Sequence, residues 1–392
     1  MPQIASRLKN LPTYVFVAIS QQVQNIIAEG HDVIRLDIGN PDMPPPPNVI
    51  ERLNRTAQDE SKHGYSGYRG IPEFRQAVAD YYVRCHGVKL DAFREVLPLL
   101  GSKEGIVNFI LAHTDADNPT LLPDISYPAY GMGIQLADGY TIPVPLLAEN
   151  DYLINFDSIP AEDAAKANML WINYPNNPTG AVATAAFYEQ AVTFCREHDI
   201  LLASDNPYLE IVYDGSPPLS VLSAAGGKEC AVEFISFSKT YNMAGWRLGA
   251  AVGNSDALAN LLRVKSNVDS GHFKPIYEAG ISALEETPSE WIADRNDIYR
   301  SRRDRIMEAL PTMGLDAQAP AGSMYVWARM IDADIDSVTF TERLLSEAHV
   351  SIAPGDAYGS GGEGYVRISL GVPDDRLDEA LHRMSVWYSE KH

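Results

Sequence analysis

Short apolar runs recur through the first two thirds of the chain, and each stops at a polar or glycine-rich turn. Residues 96–100, 120–122, 140–144, 169–173, 201–205, 231–235 and 248–252 have the length and apolar density of buried strands. Segments with helical spacing lie among them, at 15–29, 48–59, 72–84, 106–113 and 184–198. The first carries Phe16, Ile19, Val23, Ile26 and Ile27 on related faces and closes at Gly30. This strand–helix rhythm predicts a mostly parallel sheet covered by helices on both faces. A further strand over 33–38 ends at Gly39, and Pro44 to Pro47 form a stiff connector.

From about residue 288 the rhythm changes. A charged helix over 291–310 predicts i,i+4 ion pairs on a solvated face. Strands around 324–328 and 365–370 flank another helix, and 374–390 closes the chain as a helix. The expected organisation is a large α/β domain over 46–285 and a smaller, discontinuous α/β domain made of 1–45 with 286–392. Residues 265–275 and 353–359 look like an exposed segment and a mobile loop.

Composition narrows the class. The chain has 392 residues, 45% hydrophobic and 21% charged, as soluble globular proteins do. Its net charge of −21 argues against nucleic acid as a partner. No window approaches the roughly 20 apolar residues of a membrane span. Residues 1–10 do not read as a secretory signal. Three cysteines, Cys85, Cys195 and Cys230, lack metal spacing and form no disulfide framework, with Cys195 in a core pattern. A cytoplasmic protein is expected.

The chemistry sits where strands end. Lys239 follows the 231–235 run, and a lysine there is a candidate nucleophile because burial lowers its pKa. Ser236, Ser238 and Arg247 surround it with anion-binding groups. Two other strands deliver Asn177 and Asp205 at their carboxyl ends, with Tyr208 three positions beyond the acid. In open α/β sheets that edge binds ligands. Gly101-Ser102-Lys103 leads into a helix, a second anion site. A Schiff-base lysine, an acid for a ring nitrogen and a phosphate cup are what pyridoxal 5'-phosphate needs. Each residue also has a plainer reading: a surface lysine, a helix cap, a strand-surface arginine at 367.

The Asn-Pro-Thr-Gly turn at 177–180, Asp205-x-x-Tyr208, and Ser236-x-x-Lys239 followed by Arg247 resemble the class I/II aminotransferases, closest to the branch holding LL-diaminopimelate and aspartate aminotransferases. The likeness runs from Asp37 to Ser369. It implies fold type I, with a mostly parallel sheet of the seven-stranded type sandwiched by helices. It implies that Lys239 holds the cofactor and moves the proton, that Asp205 pairs with the pyridine nitrogen, and that Tyr127 stacks on the ring. Asn177 and Tyr208 would reach the ring oxygen. Ser102, Lys103, Ser236, Ser238 and Arg247 would hold the phosphate, with Tyr65 arriving from a neighbouring subunit. Arg367 would clamp the substrate carboxylate, Gly39 would meet it through its backbone, and Asn267 would touch the substrate side chain. His272 reads as a loop histidine. A two-fold homodimer with shared active sites follows from the roles of Tyr65 and 265–275.

The reaction expected is ping-pong transfer of an amino group between an amino acid and a 2-oxo acid, with LL-diaminopimelate and 2-oxoglutarate as the leading pair. Tyr68 stands where plant-type diaminopimelate enzymes carry a glutamate, which leaves aspartate, alanine or other donors open. A pyridoxal phosphate carbon–sulfur β-lyase would use the same Lys239, Asp205 and Arg367. A non-enzymatic effector module is disfavoured by the acidic charge and by the absence of a helix-turn-helix extension.

Overall fold

The computed structural model describes residues 3–9, 11–331 and 334–391. The reading of residues 1–10 therefore falls partly outside the described residues, at Met1, Pro2 and Asn10, and the domain assignment does so also at Asp332, Ala333 and His392. The strands in chain order are β1 (Ile34–Arg35), β2 (Val96–Leu99), β3 (Thr120–Pro123), β4 (Thr141–Val144), β5 (Met169–Asn173), β6 (Leu201–Asp205), β7 (Ala231–Ser236), β8 (Gly249–Gly253), β9 (Leu315–Asp316), β10 (Tyr325–Met330), β11 (Val350–Ser351), β12 (Ala353–Pro354) and β13 (Tyr365–Ser369).

Seven of them form one sheet in the order β2-β8-β7-β6-β5-β3-β4. Only β8 runs antiparallel to its neighbours. Every position of β5 and β7 is buried. That burial explains why these strands read as mainly apolar runs rather than as alternating ones, with Glu233 the buried exception in β7. The parallel register sets Asn173 beside Asp205 and Asp205 beside Phe234, so the ends of β5, β6 and β7 open onto one edge. The second sheet is antiparallel, β12-β13-β10-β9, and β1 pairs with β11 in parallel beside it. Ile34, Leu36, Tyr299, Ile306, Leu344 and Ile368 share its core.

Four expectations are corrected. The strand over 33–38 is only Ile34–Arg35, because the chain leaves the ladder to run over the ring of Tyr325, where a Cβ on Gly39 would collide with the tyrosine hydroxyl. On the helix Ser289–Ala309 the exposed intrahelical pair recorded is Arg300 with Asp297, at i,i+3, and most of its arginines turn elsewhere. Arg295, Arg302 and Arg303 are buried, and Arg302 pairs with Asp42 at 2.8 Å and Asp374 at 2.7 Å while Arg303 pairs with Asp214 at 2.6 Å. These cations tie the helix to distant chain segments, and a buried guanidinium needs such partners. Residues 353–359 are not a free loop: Ala353 and Pro354 pair with Arg367 and Val366, and Tyr358 is buried. In 265–275, Lys265 and His272 are buried, the lysine pairing with Asp269 at 2.5 Å and His272 Nε2 facing Leu99 O at 3.2 Å.

The anion turn also differs from expectation, since its helix starts at Ser102 rather than 106. Cys195 is buried as expected, and all three cysteines are free. Among the described residues, no helix is long and apolar enough to cross a membrane.

Candidate active site

A cavity of about 370 Å³ opens at the carboxyl edge of the large sheet. One end is built for an anion. Gly101, at φ 86°, turns the chain into the helix Ser102–His113, so free N–H groups of its first turn face the cavity with the positive end of the helix dipole. A Cβ at Gly101 would displace the Arg247 guanidinium, and the left-handed backbone there favours glycine. Arg247 is itself left-handed, at φ 57°, and its Nη1 donates to Ala244 O at 2.8 Å and to Ser238 Oγ at 3.5 Å. Ser236 Oγ accepts from Ser238 N at 3.2 Å. The Lys103 ammonium lies 3.9 Å over the Tyr14 ring and 5.9 Å from the Tyr127 ring centre. This local cup is cationic within an acidic chain.

The opposite wall is acidic. Asp205 ends β6 and is buried, and its Oδ2 accepts from the Tyr130 hydroxyl at 2.6 Å. Its Oδ1 has no partner among the described residues. Burial pushes the carboxyl up to about 7, against the Tyr130 hydrogen bond, which lowers it. Tyr130 lies flat on Trp171, ring centres 4.8 Å apart at 11°, and Tyr127 meets it edge-on at 5.7 Å. Asn173 Nδ2 donates to Asp205 O at 2.6 Å, and Asn173 Oδ1 accepts from Asn177 N at 2.8 Å. Tyr130→Phe removes the one hydroxyl on this carboxylate. The Asp205 midpoint should then rise above about 7 in the apoprotein, read from its carboxyl infrared band against pH.

Lys239 sits between the two ends, on the helical turn Phe237–Thr240 that follows β7. Its Nζ donates to Gly39 O. Burial first, then the Arg367 and Arg247 cations, bring the amine down to about 7. Such an amine is largely unprotonated just above neutrality and serves as nucleophile or base. Arg295 Nη1 donates to Thr240 O and fixes the far end of this turn.

Arg367 on β13 is buried under three rings, 4.0 Å from the Tyr325 centre, 5.2 Å from Tyr358 and 5.5 Å from Phe16. Its Nη1 donates to Asn177 Oδ1 at 2.9 Å and its Nη2 to Asp37 O. Its Nε has no partner among the described residues. A buried guanidinium with an unmet N–H beside a cavity has the chemistry to receive a carboxylate.

Pyridoxal phosphate offers a ring nitrogen, a ring oxygen and a phosphate. The unpartnered Asp205 Oδ1, the Asn177 and Tyr208 side chains and the Gly101–Arg247 cup match these handles, so the residues present fit the group.

Gly39, Ser102, Lys103, Tyr127, Asn177, Asp205, Tyr208, Ser236, Ser238, Lys239, Arg247 and Arg367 all line this one cavity. Tyr65 and Asn267 do not. The Tyr65 side chain is 89% exposed. Asn267 is exposed and donates to Arg263 O at 2.8 Å on a separate groove. Sequence reasoning missed Tyr130, Asn173, Tyr325, Phe16 and Asp37, of which all but Tyr130 line the cavity. Tyr130 follows Tyr127 by three positions and Asn173 ends β5, which were usable signals. Tyr325 and Phe16 lie in apolar patterns and carried none.

The sequence model of the family described as aminotransferase class I and II matches residues 31–384. An LL-diaminopimelate aminotransferase of Dehalococcoides mccartyi is 42% identical over 99% of this chain and 100% of its own length. That of Desulforudis audaxviator is 45% identical over 97% and 96%. A solved structure of a probable N-succinyldiaminopimelate aminotransferase from Thermus thermophilus superposes with a TM-score of 0.89 at 37% identity, over 95% of this chain and 99% of that one. The chain therefore belongs to the class I and II aminotransferases, and is a fold-type-I, pyridoxal-phosphate-dependent transaminase.

Proposed function

We propose that the protein transfers the amino group of LL-diaminopimelate to 2-oxoglutarate. The carrying observation is a buried amine poised near neutrality that lines one cavity with Asp205, the Gly101–Arg247 cup and an incompletely paired Arg367. The relatives named LL-diaminopimelate aminotransferase, matched over nearly their whole length, support the substrate. When bound, pyridoxal phosphate supplies an electron sink that stabilises negative charge at the substrate α-carbon.

The chain's own residues do the rest. Lys239 Nζ would hold the cofactor and, as base and then acid, would take the proton from the substrate α-carbon and give it to the cofactor carbon that bore the aldehyde rather than back to the α-carbon. Asp205 keeps a proton on the ring nitrogen, where opposite charges in a dry site hold each other charged. Asn177 and Tyr208 would bind the ring oxygen, and Tyr127 would pack against the ring. Ser102, Lys103, Ser236, Ser238 and Arg247 hold the phosphate. Arg367 grips the substrate carboxylate and Gly39 meets it through its backbone, so the bond to be broken is aligned with the ring.

Tyr65 and Asn267 face outward here, which suits contributions to a second copy's site. We therefore propose a homodimer with shared active sites, working in the cytoplasm. The 46–285 unit and the 1–45 plus 286–392 unit are proposed as its two domains, since Ile34 and Leu36 share a core with Tyr299 to Trp387.

Arg367→Ala should raise the amino-acid KM at least about tenfold and lower kcat, because the clamp both binds and aligns. Steady-state kinetics within twofold of the parent would remove the arginine from that role. The substrate is tested by mixing holoenzyme with LL-diaminopimelate, aspartate, alanine and glutamate in turn and following the cofactor band. Fastest conversion by LL-diaminopimelate supports the assignment. Preference for another donor reassigns the substrate, and pyruvate with ammonia formed without an acceptor would indicate a β-lyase.

A further inference from the structure

Tyr325 opens β10 at the point where the second sheet meets the cavity, and it is 2% exposed. On the paired strands Arg367 stands opposite Trp327, and Tyr325 stands opposite Ser369. Tyr325 and Trp327 share one face of β10, so Tyr325 is the diagonal neighbour of Arg367. The guanidinium carbon lies 4.0 Å from the Tyr325 ring centre, nearer than to any other aromatic ring recorded around it among the described residues. A cation stacked this closely is held in one plane.

The other end of the same side chain touches a different part of the site. The Tyr325 and Tyr208 hydroxyls are 2.8 Å apart, with their rings edge-on at 5.7 Å. Gly39 passes directly over the Tyr325 hydroxyl, where any Cβ would collide, and its carbonyl accepts from Lys239 Nζ. The ionisable groups facing the tyrosine pair are Arg367 from β13, Lys239 from the turn after β7, Tyr127 and Tyr130 at the start of the helix Ala129–Leu136, Tyr299 from the helix Ser289–Ala309, and Tyr358.

We propose that Tyr325 is a positioning residue with two separable tasks: its ring sets the plane of Arg367, and its hydroxyl sets the direction in which Tyr208 donates. This rests on the roles given above to Arg367 and Tyr208. A phenol has one proton to give. If Tyr208 gives its proton to the cofactor ring oxygen, the Tyr208–Tyr325 bond has to run from Tyr325 to Tyr208. A donor behind Tyr208 makes it the stronger donor in front. The hydroxyl thus acts on the cofactor's proton balance, and the ring acts on substrate binding.

Two variants separate the tasks in the holoenzyme. Tyr325→Phe keeps the ring and removes the hydroxyl. It should raise the pH midpoint of the cofactor's visible-band change, without substrate, by roughly half a unit. Its half-saturating amino-acid concentration should stay within twofold of the parent. Tyr325→Leu removes the ring and should raise that concentration about fivefold, the effect of roughly 1 kcal/mol of cation–π contact. Tyr325→Met is the second ring-less variant should leucine not be accommodated. The amino acid used is whichever of LL-diaminopimelate, aspartate, alanine or glutamate converts the parent fastest, so an error in the proposed substrate leaves this test intact. An unmoved midpoint in Tyr325→Phe, or both readouts moving together in it, overturns the proposal, as does unchanged binding in the ring-less variants.

Discussion

Lys239→Ala should bind pyridoxal phosphate without a covalent bond and should transaminate at least roughly 10⁴-fold more slowly than the parent, the upper range for loss of a positioned acid–base group. The side chain removed is the amine that faces the cavity from the turn after β7, brought down to about 7 by burial and by the Arg367 and Arg247 cations. The phosphate cup formed by Gly101, Ser102 and Arg247 does not include that amine, so dialysis should show the cofactor retained, more weakly. Two signatures therefore part company: cofactor stays, turnover goes. A variant retaining both turnover and the parent's visible band would remove Lys239 from the chemistry.

Asp205→Asn should make the enzyme worse and the apoprotein more stable. Asn is neutral and of the same shape, so it cannot hold a proton on the ring nitrogen, and kcat should fall roughly 10²–10³-fold. The stability effect follows from linkage. Burial holds the folded carboxyl up at about 7 against an ordinary value of 3.8, so between those values the folded chain keeps a proton that the unfolded chain has lost. Stability from this group falls as pH rises from about 4 to about 7, then levels off. A shift of about three units corresponds to roughly 4 kcal/mol. The asparagine variant escapes that term. Denaturant unfolding of the two apoproteins should agree near pH 4, with the variant ahead by up to about 4 kcal/mol at pH 8. Equal stabilities at pH 8 would show that Asp205 is not held in a dry site.

Much of this site was legible because a buried parallel sheet writes its edge plainly. β5, β6 and β7 are mainly apolar and each gives way to polar residues at its carboxyl end, so Asn177, Asp205 and Lys239 stood out as groups delivered to one place. Gly101 was legible because a left-handed turn into a helix leaves a glycine in the sequence. The support around these residues was not legible. Tyr130 and Tyr325 are aromatic residues among apolar neighbours, and hydrophobic pattern alone cannot separate a ring that only packs from one whose hydroxyl meets Asp205 or Tyr208. The arginines of Ser289–Ala309 read as solvated because periodicity reports charge and not partner, and their acids lie far away in sequence, at Asp42, Asp214 and Asp374. The strand at Ile34–Arg35 proved short because its end is set by the distant Tyr325. Tyr65 and Asn267 rest on a second copy, which one chain does not contain.

Reduction of the holoenzyme with borohydride, followed by proteolysis and peptide mass mapping, tests the central claim most directly. The amine argued to carry the cofactor becomes permanently tagged with a phosphopyridoxyl group. The account predicts the tag on the peptide containing Ser238-Lys239-Thr240 and on no other lysine peptide. A tag on another lysine, Lys103 being the nearest rival in the cavity, or no tag on a protein that still transaminates, would contradict it.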